Sequence, residues 1–292
     1  MHQIVDKGER AYAWRAFGLF VLLAFLLTSV FGVLMALQGG TPSLLVTGVM
    51  WSPGVSAMLC CLILKRKIST LPWRWGEWRW NWYAWLLPIA YGLVIYLPVW
   101  IFGLGDSGFG NIETLRDWTN QLTGAEEPNT MAAIIFLLML ATVGMVSAAS
   151  RALGEEIGWR GFMIWEMRKI MPFWALGLLS GAIWAVWHWP AILFTDYNAG
   201  EGNFVLQMFI FTMTILPQGI VYAYFAFKSH SLWPAVILHA SHNLFIQRIF
   251  TPLTIKGEDS HFYIDEFGIV MPIIGCLMAY YFYRRAVNEG IA

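Results

Sequence analysis

Runs of about twenty apolar residues, each long enough to carry a helix across a hydrocarbon core of about 30 Å, recur along this chain and limit what it can fold into. Eight are marked off by polar or Gly/Pro interruptions, near residues 17–37, 44–64, 84–104, 131–153, 173–194, 204–227, 232–250 and 267–283. They are continuously apolar rather than alternating. This favours helices over barrel strands, because inside lipid every backbone polar group has to be satisfied within the segment. Only 12% of the 292 residues are charged, against about 25% in a soluble domain. The expectation is an all-α polytopic membrane protein of about eight transmembrane helices, built as a single transmembrane domain over residues 1–292.

Formal net charge is zero, so bulk charge gives no reason to expect a nucleic-acid partner. The distribution of charge is more informative. With both termini in the cytoplasm, 15 of the 18 basic residues fall on the cytoplasmic side, Arg151 and Arg160 among them, and Arg116, Arg248 and Lys256 remain outside. That bias follows the positive-inside rule and predicts a cell-membrane protein with both ends cytoplasmic. The first apolar run exceeds the core of a cleavable signal, and Gln38-Gly39-Gly40-Thr41-Pro42 is not a small-residue cleavage site, so a retained first helix is expected. Cys60, Cys61 and Cys276 lie in apolar runs with neither disulfide nor metal spacing.

Between the second and third runs, residues 71–82 interleave tryptophan with arginine, a pattern suited to the headgroup layer. The segment 105–130 holds Asp106, Glu113, Asp117, Glu126 and Glu127 and reads as a solvated outer loop.

Ionisable side chains within apolar spans are costly, so those that persist mark sites or structural ion pairs. Three places qualify: Gly154-Glu155-Glu156-Ile157-Gly158-Trp159-Arg160, then Trp184-Ala185-Val186-Trp187-His188, then His239-Ala240-Ser241-His242-Asn243. Glu156 and Arg160 are four residues apart, in the order that favours an ion pair on one helical face. Glu155 lies about 100° further round and is left for chemistry. A carboxylate in a dehydrated pocket can act as a general base toward water, and neutral His188 can help hold that water. His239 and Asn243 share a face and can both aim an N–H at a developing oxyanion. His242 is expected to face another side of its helix. Taken singly, each group also reads as an ion pair or as hydrogen-bonded glue between helices; one shared pocket accounts for all of them.

These motifs resemble the three-motif signature of the CAAX prenyl protease and bacteriocin-processing (CPBP, or Abi) family of intramembrane proteases. The resemblance covers about residues 130–250. It implies an eight-helix fold with a membrane-embedded cavity opening toward the cytoplasm, and glutamate-type peptide hydrolysis near the cytoplasmic face. Glu155 would be the catalytic glutamate, His188 its partner on water, His239 and Asn243 the oxyanion site, and Glu156 and Arg160 supporting residues. It implies a membrane-associated peptide or protein substrate, lipidated in part of the family, and no cofactor. Two histidines and a glutamate on three helices have the chemistry to bind zinc, but H-E-x-x-H spacing is missing. One departure is Trp184, which stands where the family usually has phenylalanine and would keep an aromatic wall.

Two other function classes compete with the protease. One is a non-proteolytic immunity or scaffold protein; the other is a proton-coupled transporter, for which repeated halves are missing. The spans also leave a puzzle of depth. Counted from Met131, Glu155 lies about 36 Å along its helix, whereas His188 lies about 22 Å from Phe173. A tilt, a break at Gly154 or Gly158, or an interfacial piece over residues 163–171 would reconcile the two levels.

Overall fold

The computed structural model describes residues 6–38, 41–107, 112–198, 200, 203–257 and 260–292. Gly39 and Gly40 of the expected uncleaved junction, and residues 108–111 of the expected outer loop, lie outside the described residues.

The chain is a bundle of antiparallel helices: α1 (Lys7–Gln38), α2 (Ser43–Ile63), α3 (Trp78–Ile101), α4 (Ile112–Thr123), α5 (Thr130–Met167), α6 (Phe173–Phe194), α7 (Phe204–Ser229), α8 (Trp233–His242) and α9 (Val270–Asn288). Among the described residues six of these, α1, α2, α3, α5, α6 and α7, are long and apolar enough to cross a membrane. The expected spans at 232–250 and 267–283 fall on α8, with the π-helical turn Asn243–Phe250 that extends it, and on α9; neither reaches that standard, so the count of eight is not established.

The helix surfaces invert the pattern of a soluble protein. On α1 the small residues Ala13, Ala16 and Ala24 are buried with Phe20, while Leu22, Leu26, Val30 and Val33 face outward. Lipid solvates those chains, so packing contacts rather than apolar area drive helix association. Small residues accordingly set the two approaches that matter for the site. A methyl group on Gly154 of α5 would come within 2.7 Å of Trp51, and one on Gly158 within 2.6 Å of Pro53, so α2 and α5 meet backbone to backbone. Gly177, Gly181 and Gly219 do the same for α6 and α7.

The depth puzzle disappears because α5 does not end near residue 153. It continues to Met167, with π-helical stretches at Leu140–Gly144 and Trp159–Met163. Measured from the end that α5 and α6 share, Glu155 lies about 18 Å in and His188 about 22 Å in. The expected interfacial piece is instead the last turn of α5 and its connection to α6, where buried Glu166 pairs with Arg66 at 2.5 Å and with Lys169 at 3.0 Å.

The acidic segment after α3 is more ordered than a bare loop. It contains α4, whose Trp118 is buried near Phe136, and a strand β1 (Gly105–Ser107) antiparallel to β2 (Thr254–Lys256) with Gly105 opposite Lys256.

Candidate active site

The first motif sits where α5 passes closest to α2, and the rotation between its two glutamates separates their surroundings. Glu156, wholly buried, accepts two hydrogen bonds from Arg160 Nη1 at 3.0 and 3.1 Å and one from His239 Nδ1 at 2.9 Å. The guanidinium of Arg160 packs against the rings of both Trp184 and Tyr222, 4.3 and 4.2 Å from their centroids. Cation–π contact with the two rings offsets part of the cost of a buried charge whose Nε and Nη2 have no hydrogen-bond partner among the described residues.

Glu155 points the other way, into a cavity of about 750 Å³ that is also lined by His188, His239 and Asn243. The structure thus brings all four of the residues singled out for chemistry to one hollow, with Glu156 and Arg160 behind it. Glu155 is 2% exposed, and its Oε2 accepts a hydrogen bond from the indole Nε1 of Trp184 at 2.9 Å. No cation is bonded to Glu155 among the described residues. The tryptophan that replaces the usual phenylalanine therefore does more than preserve a wall: it supplies a donor that phenylalanine does not have.

Trp184 also orders the histidines. Its carbonyl oxygen lies 2.8 Å from His188 Nδ1, and a carbonyl can only accept, so that nitrogen carries the proton and Nε2 keeps its lone pair in the neutral ring. The Trp184 ring lies 5.8 Å from the His188 ring and 5.3 Å from that of His239, so both imidazoles pack beside it. His239 spends Nδ1–H on Glu156. Its Nε2 can donate as well only when the ring is an imidazolium, and the carboxylate at Nδ1 is the partner such a cation requires.

His242 departs from expectation. Residues three apart on an α-helix are separated by about 60°, not by one residue's rotation, so His242 lines the same cavity as His239. It belongs to a second cluster that sequence reasoning missed. His242 Nε2 donates to Glu266 Oε1 at 2.8 Å, and its Nδ1 meets the Tyr91 hydroxyl at 2.5 Å. Glu266 also accepts from Tyr197 Oη at 2.6 Å and Gln247 Nε2 at 3.0 Å. Tyr197 in turn stands 5.8 Å, ring to ring, from His188. These residues come from α3, the α6–α7 connection, α8 and its π turn, and the segment before α9; only the i to i+5 spacing of His242 and Gln247 on one helix gave any local signal.

Arg151 and Arg160 also need reassignment. Both lie within α5, Arg160 fully buried and Arg151 lining the cavity one turn from Glu155, so neither is a loop residue. The thirteen other basic residues placed on the cytoplasmic side remain at the end of the bundle that holds both termini. The cavity runs from Glu155 toward the opposite end.

Comparison with known proteins bears on the same region. A family model described as type II CAAX prenyl endopeptidase Rce1-like matches residues 128–245. A protein named CAAX prenyl protease 2 from Methanococcus maripaludis is 29% identical over 114 residues, 38% of this chain. The match spans 38% of that relative's length.

Proposed function

We infer that this chain, an integral membrane protein whose motif-bearing region is of the CPBP type, is an intramembrane endopeptidase that splits a peptide bond with water activated by Glu155 and His188. The observation that carries this reading is the cavity itself, in which a carboxylate and two imidazoles from three helices face one space around Trp184.

Water would sit between the Glu155 carboxylate and the lone pair of His188 Nε2. Glu155 takes a proton from it as the oxygen attacks the carbonyl carbon of the scissile bond. The oxyanion formed receives hydrogen bonds from His239 Nε2–H, held in place by Glu156, and from the Asn243 amide. Collapse of the tetrahedral intermediate breaks the C–N bond, and Glu155 returns its proton to the leaving amine. Glu156 and Arg160 touch no substrate here; they hold His239. The Trp184 indole holds Glu155 in position, so Trp184 is a positioning residue. No step calls for a metal or another cofactor.

In proteoliposomes carrying a quenched-fluorescent peptide with a membrane-spanning apolar segment, the protein should release fluorescence. Glu155→Gln and His188→Ala should each lower the rate by at least 10³-fold, a loss of about 4 kcal/mol of transition-state stabilisation, while keeping the thermal midpoint. Equal cleavage by the Glu155→Gln variant would end the assignment. Activity lost on chelation and restored by zinc would move the same residues into metal chemistry. Whether natural substrates are lipidated is decided by comparing prenylated and unmodified forms of one peptide.

A further inference from the structure

The two ends of the bundle differ in charge and in access. One end gathers both termini, the α2–α3 connection, the α5–α6 turn and the α7–α8 turn. It is tied together by Arg10 to the carbonyl of Ile170 (3.2 Å), Leu232 N–H to that of Pro72 (3.0 Å) and Arg168 to that of Ile291 (3.1 Å). This is the end with thirteen lysines and arginines. The other gathers the α1–α2, α3–α5 and α6–α7 connections and the β1–β2 pair, and of the basic residues it carries Arg116, Arg248 and Lys256. Short connections with such a bias place the basic end in the cytoplasm.

The cavity beside Glu155 extends toward the opposite end. Toward the basic end the bundle is filled by Trp159, Arg160, Tyr224 and Phe225, each fully buried. From Glu155 outward, the cavity is walled by Thr28 and Ala36 in the distal half of α1, Val46 at the start of α2, Phe194 at the end of α6, and Asp196 beyond it. Every one of these lies in the half of the bundle remote from the termini.

We propose that the catalytic cavity opens to the non-cytoplasmic side of the membrane, and that its substrate is an extended, partly apolar peptide segment presented from that side. The occupant's chemistry rests on the endopeptidase reading; the side rests only on charge and geometry. An exported or translocated chain meets this condition, whereas a protein lipidated in the cytosol would have to reach the site through the packed end. The walls agree with such a guest, with apolar side chains from α1, α2 and α6 around a few polar groups, and with Arg151 and Arg248 on the same lining.

The test separates side from activity. In a background with Cys276→Ser, which removes the exposed native thiol, single cysteines are placed at the cavity mouth (Thr41→Cys, Asp196→Cys) and at the basic end (Lys67→Cys). A membrane-impermeant maleimide applied to intact cells should label the first two and leave Lys67→Cys unlabelled until the membrane is opened. Labelling of Lys67→Cys in intact cells, or of the two mouth positions only after permeabilisation, overturns the proposal. An impermeant quenched-fluorescent peptide outside the same cells should then be cleaved by the protein and not by Glu155→Gln. Correct labelling without cleavage would leave the sidedness standing and remove the peptidase reading.

Discussion

Two buried carboxylate–histidine pairs have their histidines three residues apart on α8, His239 and His242, and they are stabilised in different ways. Glu156 and His239 are packed with a permanent cation, Arg160, and of the three only His239 reaches the cavity. Glu266 and His242 are packed with two hydroxyls and an amide, beside a cavity that both residues line. In the first, charge is balanced by a group that cannot lose its proton. In the second, the carboxylate is met by hydrogen bonds from His242, Tyr197 and Gln247 rather than by a permanent cation. The first pair should therefore be rigid and intolerant, and the second adjustable.

The largest expected effect follows from breaking the first pair. Glu156→Gln leaves Arg160 buried without its counter-charge, which should cost about 3–5 kcal/mol of stability; denaturation in detergent followed by tryptophan fluorescence measures it. Replacing Glu156 and Arg160 together by apolar residues should recover much of the loss, and failure to recover would contradict the charge argument. For the second pair, Glu266→Gln keeps an acceptor for His242 and Tyr197 and removes one charged partner. The expected cost is about 1–3 kcal/mol, and a loss as large as that of Glu156→Gln would erase the contrast between the clusters.

Trp184 bridges the first pair to the Glu155 carboxylate and offers a sharper cut. Trp184→Phe keeps an aromatic ring beside Arg160 and removes the indole donor to Glu155. Activity should fall about tenfold or somewhat more, in line with about 1.5–3 kcal/mol for a hydrogen bond to a charged group, with KM little changed. An unaltered kcat would show that the donor does not position Glu155.

The smallest effect lies outside the spans, at Glu289. Burial works against its charge, but hydrogen bonds from Lys228, Arg285 and Tyr224 outweigh it and hold the carboxyl down at about 2, from an ordinary 4.5. Because the folded value is the lower one, this stabilisation is complete above about pH 4.5 and is lost as pH falls toward 2. The thermal midpoint should drop between pH 5 and 2.5 by slightly more in the native protein than in Glu289→Gln; identical drops would show that this half-buried surface cluster contributes nothing, as is common for surface ion pairs.

These contrasts also mark what could be read without coordinates. The Glu156–Arg160 pair was visible as a spacing, because four residues along a helix fix a shared face whatever surrounds it. The six long apolar helices were visible for a similar reason, since a bilayer imposes length and composition on each span by itself. The reach of α5 to Met167 was not, because Glu166 inside a span looks unfavourable until Arg66, one hundred residues earlier in the chain, is found beside it. Glu266 was invisible in the same way; a lone glutamate before the last helix gains meaning only when Tyr197 and His242 arrive from other segments.

The sequence alone determined that the chain is helical and lives in a membrane, which end of each span carries positive charge, and which polar residues required an explanation. All of these are local properties, set by the solvent and by the helical repeat. Only the tertiary structure decided that Glu155 and both imidazoles share one cavity, that an indole donor holds the carboxylate, and that the hollow lies away from the basic end. Those depend on how separate helices approach through Gly154, Gly158 and Gly219, and no single helix records the position of its neighbours.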